Sequence, residues 1–407
     1  MLVPGKYKRK KIAQQTAVAA DGSQLLRTAL NLITVVTILV AFGLVMLYSA
    51  SSIRSGVKFF SNQLIWISLG IAAGTTCFVV GYRRMSELSI IWMILSFFSL
   101  MLCLCFKPIN GAHRWLQFGG FSIQPSEFAK VAVALFVAKY CSDHPWTFSK
   151  IKTKNGMLKL GAIVLPVLGA VLAGRDFGTT ILIAVTAFAT LYVAGLYARY
   201  WLLPLIFAIP LVAYIVFFDA ERLSRATSFL HPELVHKGEG YQLWNSLLAL
   251  GSGNWFGIGF MESRMKAKYL PEAHTDFILA IIGEELGFIA IFSIIILYVL
   301  FCRNAMKIAM NAYSRLGTLL GFALCTGIIG QAVINLAVVS GSAPTKGMPA
   351  PFISYGGSNM ISCLIATGLL VSIASEAYDA EADKRIREAI CSKLFFFIKR
   401  KKNTKNC

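Results

Sequence analysis

The chain has 407 residues, of which 57% are hydrophobic and only 14% are charged, and its mean hydropathy is +0.66. These values lie far outside the range of soluble globular proteins, so they exclude that class and predict a polytopic membrane protein. The formal net charge of +20 indicates attraction to anionic lipid of the inner leaflet rather than to nucleic acid. We therefore expect no nucleic-acid partner.

Apolar runs of nearly membrane-spanning length predict ten helices, since a helix needs about 20 residues to cross the hydrocarbon core. The runs are 30–48, 64–80, 88–106, 128–141, 160–173, 179–196, 201–218, 277–301, 316–339 and 360–375. They predict an all-α polytopic membrane protein with a ten-helix membrane domain. That domain covers 27–376, between a basic N-terminal tail over 1–26 and a basic C-terminal tail over 377–407.

The distribution of lysine and arginine predicts the orientation of these helices. An even number of spans places both termini on one side, and the segments on that side carry most of the Lys and Arg residues. Positively charged loops favour the cytoplasm. We therefore expect two cytoplasmic termini and one large extracytoplasmic loop over 219–276.

The segment between the third and fourth predicted helices holds the first candidate residues. Its sequence HRWLQFGGFSIQPSEFAK enters the fourth helix through Pro125, which is a helix-start signal. Glu127 and Lys130 are three residues apart, so they share a helical face and can form an ion pair. That pair could be purely structural, and Trp115, next to Arg114, could be an ordinary interfacial anchor.

The long loop contains a predicted helix, and the last loop indicates an irregular backbone. Residues 241–250 have apolar side chains at near-helical spacing, which predicts an amphipathic helix on the outer surface. The last loop, GSAPTKGMPAPFISYGGS, contains three prolines and four glycines between apolar helices. Irregular backbone at membrane depth is tolerated only where it is buried or lines a cavity. Lys346 would place a cation in that cavity.

The stretch PEAHTDFILAIIGEE, over 271–285, is the strongest candidate for chemistry. Asp276 lies where the polar run ends and the predicted span begins, so its carboxylate should lie near a membrane–water boundary. Glu284 and Glu285 follow roughly 12–13 Å further along the helix, at a depth where charges face a protein or water-filled interior. On spacing alone, Asp276 could serve only as a helix cap.

Three of these stretches together resemble one family, the SEDS (shape, elongation, division and sporulation) glycosyltransferases, which polymerise lipid II into peptidoglycan. HRWLQFGGFSIQPSEFAK, then GYQLWNSLLALGSG with YLPEAHTDFILAIIGEELG, and finally PTKGMPAPFISYGGS resemble its signatures in the family's order. PEAHTD and PTKG are more similar to the division members than to the elongation members. The chain departs from the family pattern at Arg175, Lys268 and Asn359.

The resemblance implies an inverting transfer that forms β-1,4 links at the division septum, with Asp276 as the catalytic carboxylate. It also implies eight substrate-binding residues: Arg114, Trp115, Glu127, Lys130, Arg222, Arg225, Lys346 and Pro351. A carboxylate of this kind can act as general base, while cations stabilise the leaving diphosphate. A divalent cation, Mg²⁺ or Mn²⁺, could share that task, but the sequence contains no dedicated carboxylate cage, so no protein metal site is predicted.

The resemblance further implies lipid II as substrate, and as partners a class B penicillin-binding protein (an FtsI-like transpeptidase) and other divisome membrane proteins. The protein would lie in the cell membrane as a multi-pass chain at the septum. Three alternatives stay open: a lipid II flippase, an elongation polymerase and a structural scaffold. A transporter should show internal symmetry between its halves, and the sequence contains no such repeat.

Overall fold

The computed structural model describes residues 4–55, 58–108, 111–118, 121–144, 150–196, 229, 239–270 and 273–378. The predicted helix over 201–218 therefore lies outside the described residues, as do Arg222 and Arg225. Each of the other nine predicted spans coincides with a helix. Hydropathy predicts these helices well because a lipid-exposed chain must satisfy its backbone hydrogen bonds within its own helix.

The described helices and strands are named in chain order. They are α1 (Pro4–Ser55), α2 (Lys58–Val80), α3 (Tyr82–Glu87), α4 (Ser89–Cys105), β1 (Leu116–Phe118), β2 (Phe121–Ile123), α5 (Pro125–Asp143), α6 (Lys150–Ala173), α7 (Phe177–Val193), α8 (Glu239–Gly253), α9 (Met265–Lys268), α10 (Ile278–Met310), α11 (Arg315–Val339) and α12 (Gly357–Tyr378). The two strands pair as an antiparallel hairpin. Helix α1 runs without interruption through residue 27, where the sequence predicts the end of the tail.

Within the described residues, six helices are long and apolar enough to cross a membrane, and two shorter helices, α4 and α7, are also apolar. The protein is therefore a polytopic α-helical membrane protein. Helix α5 lies at the centre, packed against α4, α7 and α11. Its small residues Ala129, Ala132 and Ala138 are buried, and small side chains allow neighbouring helices to approach closely.

Helix α10 is broken at Gly287, whose φ of 76° is in the left-handed region that favours glycine. The loop that follows α8 bonds to the backbone groups that this break frees. Ile258 and Gly259 donate their N–H groups to the carbonyls of Glu284 and Glu285, at 3.0 and 3.1 Å. Two further backbone bonds run from the helix to the loop. The break thus has its backbone satisfied inside the protein, as membrane depth requires.

Helix α8 includes the amphipathic helix predicted over 241–250, but its surroundings differ from the prediction. It packs against α10, and its residues Leu243 and Ala249 are buried. Ser246 donates to the carbonyl of Val339, at the end of α11, at 2.9 Å. The apolar face of α8 is therefore covered by protein helices, whereas the sequence predicts a helix that lies on the outer surface.

Glu284 and Glu285 are both buried, which confirms that these carboxylates face a protein interior. The Glu285 carboxylate forms an ion pair of 2.6 Å with Lys266 and accepts hydrogen bonds from Ser49 at 2.7 and 2.8 Å. Glu284 accepts a hydrogen bond from the hydroxyl of Ser263. These contacts join α1, α9 and α10 at a point eight and nine residues after Asp276 in the chain.

Candidate active site

Asp276 lies two residues before the first residue of α10, in a turn that spans 273–277. The N-cap position of that helix is occupied by Phe277, which makes no side-chain capping bond. Asp276 thus lies one residue before the position that the capping interpretation requires. The residue is half-buried, so part of it packs against protein and part is accessible.

The loop between α11 and α12 forms one wall beside this carboxylate. A Cβ atom added at Gly347 would lie 2.9 Å from Oδ2 of Asp276, a separation too short for a real Cβ contact. Asn335 holds the two segments together, because its Nδ2 donates to the carbonyls of Asp276 and Met348 at 2.8 and 2.7 Å. Lys346 is adjacent to Gly347 in this loop, so the backbone of a cationic residue lies beside the carboxylate.

Lys346 also lies against the start of α7. Its Cδ is 3.7 Å from the position that a Cβ at Gly178 would take. Burial lowers the pKa of the Lys346 ammonium, and the Asp176 carboxylate acts in the opposite direction by raising it. Asp176 itself is buried and accepts hydrogen bonds from Gln124 at 2.9 Å and Ser126 at 2.8 Å. Asp176 is not among the residues predicted from the sequence, because its partners Gln124 and Ser126 are 52 and 50 residues away in the chain.

The predicted pair between Glu127 and Lys130 is present, with 2.7 Å between Oε2 and Nζ. Lys130 also donates to Oε1 of Gln331 at 2.5 Å. Gln331 in turn donates to the carbonyl of Pro349 at 2.7 Å and to Oδ1 of Asn359 at 2.9 Å. The ion pair is therefore one end of a buried polar chain that reaches the loop beside Asp276.

Further contacts hold the backbone of the loop between α11 and α12 in position. The buried Pro351 accepts a hydrogen bond through its carbonyl from Tyr298 at 2.7 Å. Tyr355 donates its N–H to the carbonyl of His274 at 3.1 Å. The His274 ring stacks on Phe59 with 4.4 Å between ring centroids. Pro351 thus contributes to the shape of the loop, and the turn that carries Asp276 is held by the residues that follow Pro351.

Arg114 contacts the turn that precedes α7 and carries Asp176. Its guanidinium donates to the carbonyl of Arg175, a residue whose φ of 62° is in the left-handed region. Arg175 donates in return to the carbonyl of Gly111 at 3.3 Å. Trp115 is half-buried next to Arg114, immediately before β1. Both residues therefore lie on a segment that packs against the turn carrying Asp176.

Two site residues, Gln331 and Asn335, were not predicted from the sequence. They lie four residues apart on α11, so they share one face of that helix. Polar amides at this spacing in an otherwise apolar span are a signal that could have identified them. Within the described ranges, no group of three or more His, Cys, Asp or Glu side chains can hold a metal ion.

Comparison with known proteins identifies the family of this chain. Residues 29–379 match the cell cycle protein family of FtsW, RodA and SpoVE. A probable peptidoglycan glycosyltransferase FtsW of Trichlorobacter lovleyi is 36% identical over 355 residues, which are 85% of this chain and 93% of the relative. The stage V sporulation protein E of Bacillus subtilis is 33% identical over 354 residues, which are 85% of this chain and 96% of the relative.

Solved structures share the same fold. A chain from a peptidoglycan synthase complex that coordinates polymerization and crosslinking has a TM-score of 0.72 and 26% identity, covering 86% of this chain and 98% of that chain. The rod shape determining protein RodA of Thermus thermophilus has a TM-score of 0.64 and 25% identity, covering 86% and 97%. The resemblance seen in the three motifs is thus confirmed, and the chain belongs to the FtsW, RodA and SpoVE family of cell cycle proteins.

Proposed function

We propose that this protein is a peptidoglycan glycosyltransferase that polymerises lipid II at the division septum. The observation that carries the proposal is the contact between the Asp276 carboxylate and Gly347, which places a half-buried carboxylate beside the loop of Lys346. A carboxylate beside a loop that carries a cation suits a transfer in which a hydroxyl loses a proton while a diphosphate leaves. The names of the relatives support the same reaction.

In the proposed reaction, Asp276 takes the proton of the acceptor sugar hydroxyl as its oxygen bonds to the anomeric carbon of the donor. The bond from that carbon to the lipid diphosphate breaks in the same displacement, so an α link becomes a β-1,4 link. Lys346 and Arg114 stabilise the negative charge of the leaving diphosphate. Arg222 and Arg225, outside the described residues, are proposed for the same task.

The proposed role of Glu127 and Lys130 differs from the substrate binding that the family resemblance implies. Their charges are already paired at 2.7 Å, and Lys130 is also bonded to Gln331. A paired cation has less charge to offer a diphosphate than an unpaired one. We therefore assign both residues to holding the loop of Lys346, and Pro351 and Trp115 to the shape of the site.

The proposed setting is the cell membrane, with both termini in the cytoplasm and the loop over 219–276 outside it. The solved relative that belongs to a peptidoglycan synthase complex supports a class B penicillin-binding protein as partner. Such a partner would crosslink the strands that this protein makes. Other divisome membrane proteins complete the proposed assembly.

A lipid II flippase is the second candidate function. The break of α10 at Gly287 favours it, because broken helices near charged side chains are typical of transporters. Translocation of a lipid removes no proton from a hydroxyl, so it does not require a general base at Asp276. The two functions are therefore separable by measuring polymer formation.

The test is polymerisation of purified lipid II by the purified protein, alone and with a purified class B penicillin-binding protein. We expect glycan strands on a denaturing gel, with a higher rate when the partner is present. A partner whose transpeptidase serine is replaced provides the control, since strand formation does not need crosslinking. If lipid II stays monomeric under all of these conditions while it crosses proteoliposome membranes, the flippase is correct and the polymerase is not.

A further inference from the structure

One buried side chain, Asn335 on α11, bonds to both segments that form the site. It is 1% exposed, and its Nδ2 donates to the carbonyls of Asp276 and Met348 at 2.8 and 2.7 Å. A side-chain amide nitrogen carries two hydrogens. Both hydrogens are therefore used, one for the turn before α10 and one for the loop between α11 and α12.

This double contact sets the surroundings of the carboxylate. Gly347 precedes Met348, and a Cβ atom at Gly347 would lie 2.9 Å from Oδ2 of Asp276. The backbone of Gly347 is thus one wall of the space in which the carboxylate lies. Because Asn335 holds the adjacent carbonyl, it holds that wall and the backbone of Lys346 in a defined place relative to Asp276.

Gln331 reinforces the arrangement from one turn earlier on the same face of α11. It donates to the carbonyl of Pro349 at 2.7 Å, so two consecutive loop carbonyls are each held by an amide of this helix. The loop over 344–349 has no regular secondary structure. Its buried carbonyls therefore need side-chain donors, and α11 supplies them.

We propose that Asn335 is a positioning residue for the general base. It sets the distance and direction between the Asp276 carboxylate and the segment from Lys346 to Met348, so that base and cation face one substrate. This inference rests on the proposed glycosyltransferase function. An aspartate at position 335 would oppose two carbonyl oxygens with a carboxylate, and a leucine would donate no hydrogen bond, so only an amide of this length fits both contacts.

The first test is the Asn335→Ala protein in lipid II polymerisation with the partner present. We expect kcat to fall about 10²-fold, because a misplacement of about 1 Å costs that much, while KM stays within about threefold of the parent. Ser246→Ala is the matched control. Ser246 is also buried and donates to a backbone carbonyl of α11, that of Val339, at 2.9 Å, and we expect this variant to keep the parental kcat.

The second test separates positioning from general damage. In an Asp276→Asn background, adding Asn335→Ala should lower the residual rate much less than it lowers the parental rate, since the base that Asn335 positions is already gone and only the placement of Lys346 is left to lose. A purely structural role would lower the residual rate again by the same factor. A second fall of about 10²-fold would therefore overturn the positioning role.

Gly347→Ala changes the surroundings of the Asp276 carboxylate from the side of the loop. This test can be made even if Asn335→Ala does not fold. Gly347 is exposed, so the added methyl group disturbs the carboxylate rather than a packed core, and we expect a loss of kcat of about tenfold or more. If Asp276→Asn is inactive while Asn335→Ala and Gly347→Ala both keep the parental kcat, this inference is wrong and the proposed function stands. If Asp276→Asn keeps the parental rate, the general base is wrong and the inference fails with it.

Discussion

Asparagine is the substitution that separates the two roles open to Asp276. An amide caps a helix nearly as well as a carboxylate does, but it cannot accept the proton of a sugar hydroxyl. We therefore predict that Asp276→Asn folds with a melting temperature close to that of the parent and polymerises lipid II about 10²–10⁴-fold more slowly. Polymerisation rate and thermal unfolding of the purified protein measure the two effects.

Asp143→Asn is the control for that experiment. Asp143 is a half-exposed carboxylate near the end of α5, paired with Lys139 at 3.2 Å, and an exposed pair of this kind contributes little. We expect this variant to behave as the parent does. An Asp276→Asn protein that is stable and polymerises within about threefold of the parent would contradict the general-base assignment.

Lys346 gives a prediction about pH. Burial lowers the pKa of its ammonium below the ordinary lysine value, with Asp176 opposing the shift. Lys346 therefore loses its proton at a lower pH than an exposed lysine, and kcat/KM should fall as pH rises through this lowered pKa, because the neutral amine no longer stabilises the diphosphate. Stability moves in the opposite direction. The unfolded chain binds the proton more tightly, so the unfolding free energy rises with pH between the folded and unfolded pKa values.

The matched variant is Lys346→Arg, which keeps a positive charge at high pH because the guanidinium stays protonated. We expect its kcat/KM to persist at alkaline pH where that of the parent has fallen. Steady-state rates between about pH 7 and pH 10 measure the difference. If kcat/KM fell at the same alkaline pH in the parent and in Lys346→Arg, the titrating group would not be Lys346.

The contacts of a single residue were predictable where they depend on local spacing. Asp276 lies at a boundary between polar and apolar sequence, and the spacing of Glu127 and Lys130 predicts their ion pair, which the structure shows at 2.7 Å. Asp176 and Asn335 depend instead on partners that are far away in the sequence. Their importance follows from contacts that only the fold creates, so spacing could not predict them.

At the scale of elements, the buried pair of Lys266 and Glu285 joins α9 to α10, with side chains 1% and 0% exposed. Removing one partner leaves the other charge buried without its counterion, which typically costs about 3–5 kcal/mol. We therefore predict that Lys266→Met lowers the unfolding free energy by about this amount. Thermal unfolding in detergent or nanodiscs measures it.

The exposed pair of Lys139 and Asp143 offers the comparison, since Lys139→Met should cost at most about 1 kcal/mol. The double variant Lys266→Met with Glu285→Gln should recover part of the loss, because it removes the second buried charge as well. Equal stability of Lys266→Met and Lys139→Met would show that the buried pair does not hold these elements together.

Elements of regular hydropathy were predictable, and elements shaped by distant backbone contacts were not. Nine predicted spans coincide with helices, since each must satisfy its own hydrogen bonds in lipid. The break of α10 depends on the loop after α8, whose N–H groups bond to the carbonyls of Glu284 and Glu285. No local pattern in α10 indicates where that loop will lie, although Gly287 permits the break.

At the scale of the whole molecule, the orientation in the membrane decides whether the site can meet its substrate. The proposed reaction extends glycan strands outside the cytoplasm, so Asp276 must lie near the outer end of the bundle. The turn that carries Asp276 and the loop of Lys346 lie at one end, whereas Tyr313, between α10 and α11, lies at the opposite end of α10. A reagent that cannot cross the membrane should therefore reach one end from outside the cell and not the other.

We predict that a cysteine introduced as Ser342→Cys, in the loop that carries Lys346, reacts with a membrane-impermeant maleimide in intact spheroplasts, whereas Tyr313→Cys reacts only after the membrane is opened. Both parent side chains are exposed, so burial does not explain a difference between them. The nine native cysteines are first replaced by serine or alanine, and the resulting protein must still polymerise lipid II. The reverse labelling pattern would place Asp276 on the cytoplasmic side, where a polymerase of extracytoplasmic strands could not use it.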